Sequence, residues 1–456
     1  MFDTIAAVAT GEAATAIGIV RISGENALTV TDNIFASFDK TSLKQAKNRH
    51  MYYGELKSEE GELVDVCMCT VFRAPHSYTG EDTVELYCHG SPTVLAETLQ
   101  MLEKQGVRTA KPGEFTKRAF LNGKMDLTQA EAVIDIIESE TTIIAKNAAA
   151  QLKGAVGQKM KQIYDNLLDI IAHFHAVIDY PDEDIDEFKM QDYHKVLTDS
   201  EDKLQNLLKT YEKGRLLKEG IPTAIVGRTN TGKSSLLNAM LGYERAIVTD
   251  IPGTTRDTVE EKLRVGKNLL HLIDTAGIRE TKDQVEQLGV ERTLSALEKA
   301  RLVIAVFDAS APLSDKDLEI IEKIPDTTPK IAVVNKTDLK QVLITDELTK
   351  HNFPICNVSA LTGEGIESLI EAINKQFPEP KQIQAGEIIT NQRQSEALSK
   401  ASLHLTNAII SLTESVTPDA VLTDIELALS AIGELTGAAI REEIVSRIFE
   451  RFCVGK

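Results

Sequence analysis

Apolar and polar residues alternate along the run 63–72, a period of two that predicts a strand, and the apolar stretches 4–9, 17–22, 52–56 and 83–88 read as further candidate strands. Over 92–104 the apolar spacing changes: Leu95, Leu99 and Leu102 recur at helical intervals. From Glu114 onward long helices are expected. Thr128-Gln129-Ala130-Glu131 reads as a capping box, 132–154 is rich in Ala, Ile and Glu without proline, and 158–178 and 193–211 continue the pattern. Between about 218 and 379 strands and helices alternate, the mark of a doubly wound parallel sheet. Beyond Pro378-Glu379-Pro380 helices return over 392–412, 418–432 and 438–452, with Thr417 as N-cap and Pro418 at the first helical position. Each amphipathic segment needs a partner for its apolar stripe, so the helices on either side of the alternating stretch are expected to pack as one discontinuous bundle. The expected division is therefore an α/β domain at 1–118, a helical part at 119–217, an inserted nucleotide domain at 218–379 and a second helical part at 380–456.

Composition alters this picture little. A chain of 456 residues is long enough for about three cores, and 42% hydrophobic with 26% charged residues is a soluble composition. No apolar run approaches a membrane span, and Met1-Phe2-Asp3-Thr4-Ile5 does not read as a secretory leader, so a cytoplasmic location is expected. The five cysteines are too scattered for a disulfide framework. Cys67, Cys69 and Cys88-His89 could be metal ligands, but the two-residue spacing puts Cys67 and Cys69 on one strand face, where packing into a core is the expectation. His173 and His175 lie two apart on a helix, poor spacing for co-ligands, and the acidic run at 179–187 reads as a solvated turn. A net charge of −19 argues against gripping nucleic acid by overall charge without excluding local contact; Lys44, Lys47, Arg49 and His50 form a small basic cluster, which as a solvated loop needs no functional explanation. Any RNA is expected to be held partly by another protein.

The chemistry is concentrated in the alternating stretch. Gly227-Arg228-Thr229-Asn230-Thr231-Gly232-Lys233-Ser234 follows an apolar strand and precedes Ser235 and a helix, the context of a phosphate-binding loop. Lys233 would reach the outer phosphates and Ser234 would ligate Mg²⁺. Downstream, Thr255 of Gly253-Thr254-Thr255-Arg256-Asp257 can complete the metal shell. Asp274-Thr275-Ala276-Gly277 places a carboxylate near the metal and an N–H near the γ-phosphate. In Asn335-Lys336-Thr337-Asp338, the last carboxylate can accept the two hydrogen bonds that guanine donates and adenine cannot. Ser359-Ala360-Leu361 supplies a backbone N–H for the guanine oxygen. Ile278 stands where Ras-like enzymes carry a water-orienting glutamine, so that task passes to a polar group within 279–291, with Glu280, Asp283, Glu286 and Glu291 as candidates.

These motifs, the helices flanking an inserted Ras-like P-loop GTPase domain, and the ending Phe452-Cys453-Val454-Gly455-Lys456 resemble the MnmE (TrmE) family of tRNA modification GTPases along the whole chain. The resemblance implies a homodimer whose N-terminal domain binds a tetrahydrofolate derivative (5-formyl or 5,10-methylene). It implies a potassium-dependent GTPase working with the flavoprotein MnmG, which holds FAD. Together they would add an aminomethyl or carboxymethylaminomethyl group to carbon 5 of the tRNA wobble uridine. Asn230, with backbone oxygens at Thr249 and Ile251 and the loop through Asp250, Pro252, Gly253 and Thr254, would hold K⁺ in place of an arginine finger. Glu286 matches the family's catalytic glutamate. Arg21, Glu85, Lys124 and Lys456 match its folate contacts, and Cys453 matches the terminal cysteine, as a nucleophile or as a buried structural thiol. Thr229 departs from the family's usual proline, and Val454 from a slightly larger aliphatic. The alternative reading is a ribosome-assembly GTPase switch, but such factors usually carry a basic RNA-binding module, whereas this chain is acidic.

Overall fold

A computed structural model of the chain describes residues 3–11, 13–179, 190–243, 261–273, 295–378, 385–414, 417–438, 445, 448–450 and 452–455. The acidic run from Tyr180 onward and most of the helix expected at 438–452 lie outside the described residues. Two compact units divide the chain: Met1–Ile134 with Gln151–Glu201 and Ala397–Lys456, and Asp135–Ala150 with Asp202–Glu396.

The first unit opens with strands β1 (Ile5–Val8), β2 (Ile17–Ser23), β3 (Phe35–Ser37), β4 (Met51–Lys57), β5 (Leu63–Phe72), β6 (Thr83–His89) and β7 (Arg108–Thr109). They form one sheet in the order β3-β4-β5-β6-β2-β1-β7, antiparallel except at β1–β7. The period-two pattern puts Val20, Ile22, Tyr52, Leu56, Cys67, Cys69, Val71, Val84, Leu86 and Cys88 into a core closed by the helix Pro92–Lys104. Cys67 and Cys69 are packed there, as expected, and Cys88 joins them. Among the described residues, no cluster of three His, Cys, Asp or Glu side chains could hold a metal. The opposite face leaves Phe38, Met51, Tyr53 and Met68 exposed, with the Phe38 and Tyr53 rings 5.1 Å apart.

The helix Leu127–Ile137 is capped two residues earlier than expected. Asp126 Oδ1 accepts from the Gln129 N–H at 2.9 Å and the Thr128 hydroxyl at 2.6 Å, while Gln129 Oε1 accepts from the Asp126 N–H at 2.9 Å. The box is thus Asp126–Gln129, and the Thr128 hydroxyl is used as a donor to it. The single helix expected over 132–154 is two, since the first ends at Ile137 and the next runs Thr142–Leu152. At the break, Ser139 donates to the Ile136 carbonyl and Thr141 accepts from the Ile144 N–H. Helices Ala155–Asp179 and Pro418–Thr436 pack on each other across the insertion. Thr417 stands at the N-cap position, but its side chain makes no cap bond there. His173 meets Tyr193 and His175 meets Glu426, so the two imidazoles serve different partners.

The second unit holds β8 (Ile221–Val226), β9 (Glu261–Val265), β10 (Asn268–Leu272), β11 (Leu302–Asp308), β12 (Lys330–Asn335) and β13 (Ile355–Val358). Their order is β13-β12-β11-β8-β10-β9, parallel throughout except for the β9–β10 hairpin. Near-continuous burial of β8, β11 and β12 follows from cover on both faces: Lys233–Tyr243 and Ile366–Gln376 on one, Asp315–Lys323 on the other. Helices Met190–Leu208 and Tyr211–Glu219 replace the one expected over 193–211. Between them, the Thr210 hydroxyl turns to the Leu207 carbonyl at 2.6 Å and accepts from the Ile389 N–H at 3.0 Å. Buried Asn147 bonds the same returning segment three times: Nδ2 to Ile388 O at 2.9 Å, and Oδ1 from the N–H groups of Gly386 at 2.8 Å and Ile388 at 3.2 Å. Asp135 accepts from Thr390 at 2.8 Å and pairs with Lys218 at 2.6 Å. Gly214 permits this, since a Cβ there would lie 2.1 Å from Ile389 O.

Candidate functional site

The phosphate-binding loop emerges from β8 between backbones that tolerate no extra atoms. Gly227 has φ 152°, and a Cβ would sit 2.4 Å from Val306 O on β11. Asn230 adopts φ 65°, a left-handed position that asparagine accepts better than most residues. Gly232, at φ 92°, leaves room for Asn335 Nδ2, which a Cβ would approach to 2.3 Å. Lys233 then starts the helix Lys233–Tyr243, with Ser234 and Ser235 exposed in its first turn. The Lys233 ammonium donates to Gly227 O at 2.8 Å and Arg228 O at 2.9 Å, and burial pulls its pKa below the usual lysine range. A partly desolvated cation among neutral carbonyls at a helix N-terminus fits a polyphosphate.

Asn335 joins the parts of the site. Its Nδ2 donates to Thr231 O at 2.9 Å, and its Oδ1 accepts from the Ala360 N–H at 3.0 Å, so one buried side chain ties the phosphate loop to the 359–361 turn. Asp338 Oδ1 accepts from the Ser359 hydroxyl at 2.6 Å, which aims the carboxylate into that turn. Leu361 is 86% exposed there. Lys336, at φ 68°, bonds Asp308 Oδ2 at 2.6 Å. Burial opposes ionisation of Asp308, but Lys336 and Ser310 hold its carboxyl below the usual range. Asp308 escaped the pattern reading; its only signal is a carboxylate closing a wholly apolar strand. Thr249, Asp250, Ile251, Pro252, Gly253, Thr254, Thr255, Asp274, Thr275, Ala276, Gly277, Glu286 and Lys456 lie outside the described residues.

A second cluster lies on the sheet of the first unit. Arg21 Nε pairs with Glu85 Oε1 at 2.8 Å across the β2–β6 register, and Tyr87 donates to Glu85 Oε2 at 2.7 Å. Burial and that carboxylate push the Tyr87 phenol up to about 12. The Arg21 guanidinium lies 5.4 Å from the Tyr78 ring and 5.6 Å from Phe115, and reaches Gly455 O at 3.5 Å. Gly455, at φ 97°, lets the last turn lie on β1, since a Cβ would sit 2.2 Å from Val8 O. Cys453 is exposed, so it is not the buried structural thiol of the alternative expectation, and its carbonyl accepts from the Gly113 N–H at 3.3 Å. Thr70 faces Glu85 across the β5–β6 register, yet its hydroxyl is buried without a partner, as is that of Ser77. Lys124 is bonded elsewhere, to Pro75 O at 2.8 Å.

A strand–loop–helix phosphate cradle tied through Asn335 to an Asp338-bearing turn defines a guanine-nucleotide-binding P-loop GTPase. A family model described as MnmE helical domain matches residues 127–453, and one described as GTP-binding protein TrmE N-terminus matches residues 4–124. The chain is 42% identical over 457 residues to the tRNA modification GTPase MnmE of Clostridioides difficile (strain 630), covering 100% of this chain and 99% of the relative. The relative of the same name in Lachnoclostridium phytofermentans is 44% identical over 461 residues, with 100% and 99% covered. Among solved structures, a point variant of Aquifex aeolicus Era bound to GDP.AlF4- is 30% identical over 40% of this chain and 65% of its own, with a TM-score of 0.28, too low to bear on the fold. The chain belongs to the MnmE family of tRNA modification GTPases, enzymes that hydrolyse GTP in tRNA modification. Among the described residues, no helix is long and apolar enough to cross a membrane.

Proposed function

We propose that this GTPase acts on the wobble uridine of tRNA, with the flavoprotein MnmG as partner and a folate one-carbon unit as the source of the new carbon, in the cytoplasm. The observation that carries the folate part is the Arg21–Glu85 pair with the partnerless buried Thr70 hydroxyl beside it. Such a set offers a cation, a carboxylate and a neutral hydroxyl to a heterocycle with amino and carbonyl edges, as a pterin has. Arg21, Glu85, Lys124 and Lys456 are assigned to that ligand, and Cys453 to the rim of its cleft. The exposed apolar sheet face around Tyr53 and Met68 supports a homodimer through the N-terminal domain. The four-part division of the chain after residues 118, 217 and 379 belongs to the same reading.

In the GTPase site, Lys233 and the loop N–H groups bind phosphates, Ser234, Thr255 and Asp274 hold Mg²⁺, and Asp338 with Ala360 selects guanine. Asn230, Thr249, Ile251 and Thr254 hold K⁺, whose charge would offset that developing between the β- and γ-phosphates. Glu286 orients the water. Nucleoside analysis of tRNA from a strain lacking the chain tests the reading. Loss of the carbon-5 wobble modification, restored by the wild-type chain, is expected, and equal modification with and without the chain would refute it. GTP turnover should be faster in KCl than in NaCl. Equal rates would remove potassium from the mechanism.

A further inference from the structure

The basic cluster read in the sequence has no part in either site. Its loop, between β3 and β4, is rigidly built. Leu43 and Ala46 are buried anchors, Asp32 accepts from the Ser42 hydroxyl and the Leu43 N–H, and Tyr52 accepts from the Lys47 N–H. Arg73 donates to the carbonyls of Leu43, Lys44 and Ala46 at 3.2, 2.6 and 3.3 Å. Arg49, at φ 60°, donates to His76 O at 3.1 Å, joining the loop to its neighbour. The two arginines bond neutral carbonyls, while the loop's own carboxylates, Asp32 and Asp39, accept from Ser42, Leu43, Ser37 and Thr41 and not from its cations. Among the described residues, no carboxylate forms an ion pair with Lys44, Lys47, Arg49 or Arg73; the ion pairs of this sheet lie elsewhere.

We propose that the 40–50 loop and the adjoining Arg73–His76 turn are a docking surface for the phosphate backbone of tRNA, a proposal that rests on tRNA being the substrate. On the loop the exposed residues Lys44, Gln45, Lys47, Asn48, Arg49 and His50 are all polar, and the adjoining turn exposes Ala74, Pro75 and His76 beside them. A protein interface is built round an apolar core, whereas a sugar–phosphate backbone is bound by cations and amide donors on a polar surface. The rest of the chain makes the cluster necessary. A net charge of −19 repels RNA at long range, so contact near the N-terminal domain needs a local reversal of sign. The fixed loop backbone sets the cations in place before binding, so that little is lost in ordering them.

The test is binding of an unmodified tRNA transcript to the full chain by fluorescence anisotropy, over about 50 to 300 mM salt. Lys44→Gln/Lys47→Gln/Arg49→Gln should lower the slope of log affinity against log salt by about 2 to 3 and weaken unrelated RNA equally. GTP hydrolysis should stay unchanged. Because Arg49 also bonds His76 O, Lys44→Gln/Lys47→Gln serves as a second variant that keeps every loop-fixing bond, with a slope lowered by about 1 to 2. An unchanged slope in both variants overturns the proposal. So does weaker capture of a protein partner with tRNA binding intact, or selective loss of folate pentaglutamate over the monoglutamate, which would assign the cations to a glutamate tail. A wild-type chain with no affinity for tRNA would overturn the assumption of direct tRNA contact as well.

Discussion

Asn335→Ala is expected to separate the phosphate loop from the guanine-reading turn. Asn335 is 2% exposed, and its amide makes two bonds, to Thr231 O at 2.9 Å and from the Ala360 N–H at 3.0 Å. Alanine leaves a carbonyl and an N–H without partners in a largely dry site. At about 1–3 kcal/mol for each orphaned group, the cost is about 2–6 kcal/mol. For a unit of this size that corresponds to a melting temperature lower by roughly 4–24 °C. Whatever part falls on nucleotide affinity appears at about 1.4 kcal/mol per tenfold. Asn335→Asp keeps the acceptor for Ala360 but sets an oxygen against Thr231 O, so it should retain the position of the turn and lose that of the phosphate loop. Thermal unfolding with and without GDP, together with GDP titration by fluorescence, measures both quantities. An alanine variant that melts within about 2 °C of wild type and binds GDP within about threefold would contradict the bridging role.

Three further outcomes are expected. Thr70→Val removes a buried hydroxyl that has no partner, so it should leave stability unchanged or raise it by up to about 1 kcal/mol while weakening 5-formyltetrahydrofolate binding roughly tenfold in equilibrium dialysis. A destabilised variant would mean the hydroxyl has a partner. Asn147→Ala breaks three bonds to the returning segment and should cost about 3–5 kcal/mol in urea denaturation, with Asn147→Asp milder; a loss under about 1 kcal/mol would count against it. Burial lowers the Lys233 pKa below its ordinary value of 10.5, so the free protein carries a penalty for the charged form at lower pH, relieved as pH rises through the depressed value. Bound phosphates favour the charged form. GDP binding should therefore take up protons just below pH 10.5 and not at neutral pH, as read by calorimetry in buffers of different ionisation heat; no uptake would rule out the buried cation.

Long periodic elements were legible in the pattern, and the helix Pro92–Lys104 and strand Leu63–Phe72 run as the spacing predicts. Short ones were not. β3 and β7 are three and two residues long, too brief to carry a period, and are held by pairing to distant strands. The helix breaks near Ser139 and Thr210 depend on hydroxyls turning back to carbonyls, a choice that composition leaves open. The phosphate loop was readable because glycine and asparagine encode its backbone directly. The Arg21–Glu85 pair was not, since the residues meet only through register across 64 positions, and the family resemblance alone had brought them together. The Asp308–Lys336 pair joins the ends of neighbouring strands 28 residues apart and carries no motif of its own.

The hold of Asn147, Thr210 and Asp135 on the segment Gly386–Thr390 has a consequence for how the chain folds. Thr210 and Ile389 are 179 positions apart, and their bond closes the whole excursion through the nucleotide sheet. Closure entropy grows only with the logarithm of length, so this loop costs about 2 kcal/mol more than one of about twenty residues. Once the parallel sheet has formed, it brings its own two ends together and the remaining search is short. Assembly of the flanking helices then waits on a domain that must fold first, and a lesion that slows the sheet should delay burial of the helices far from it.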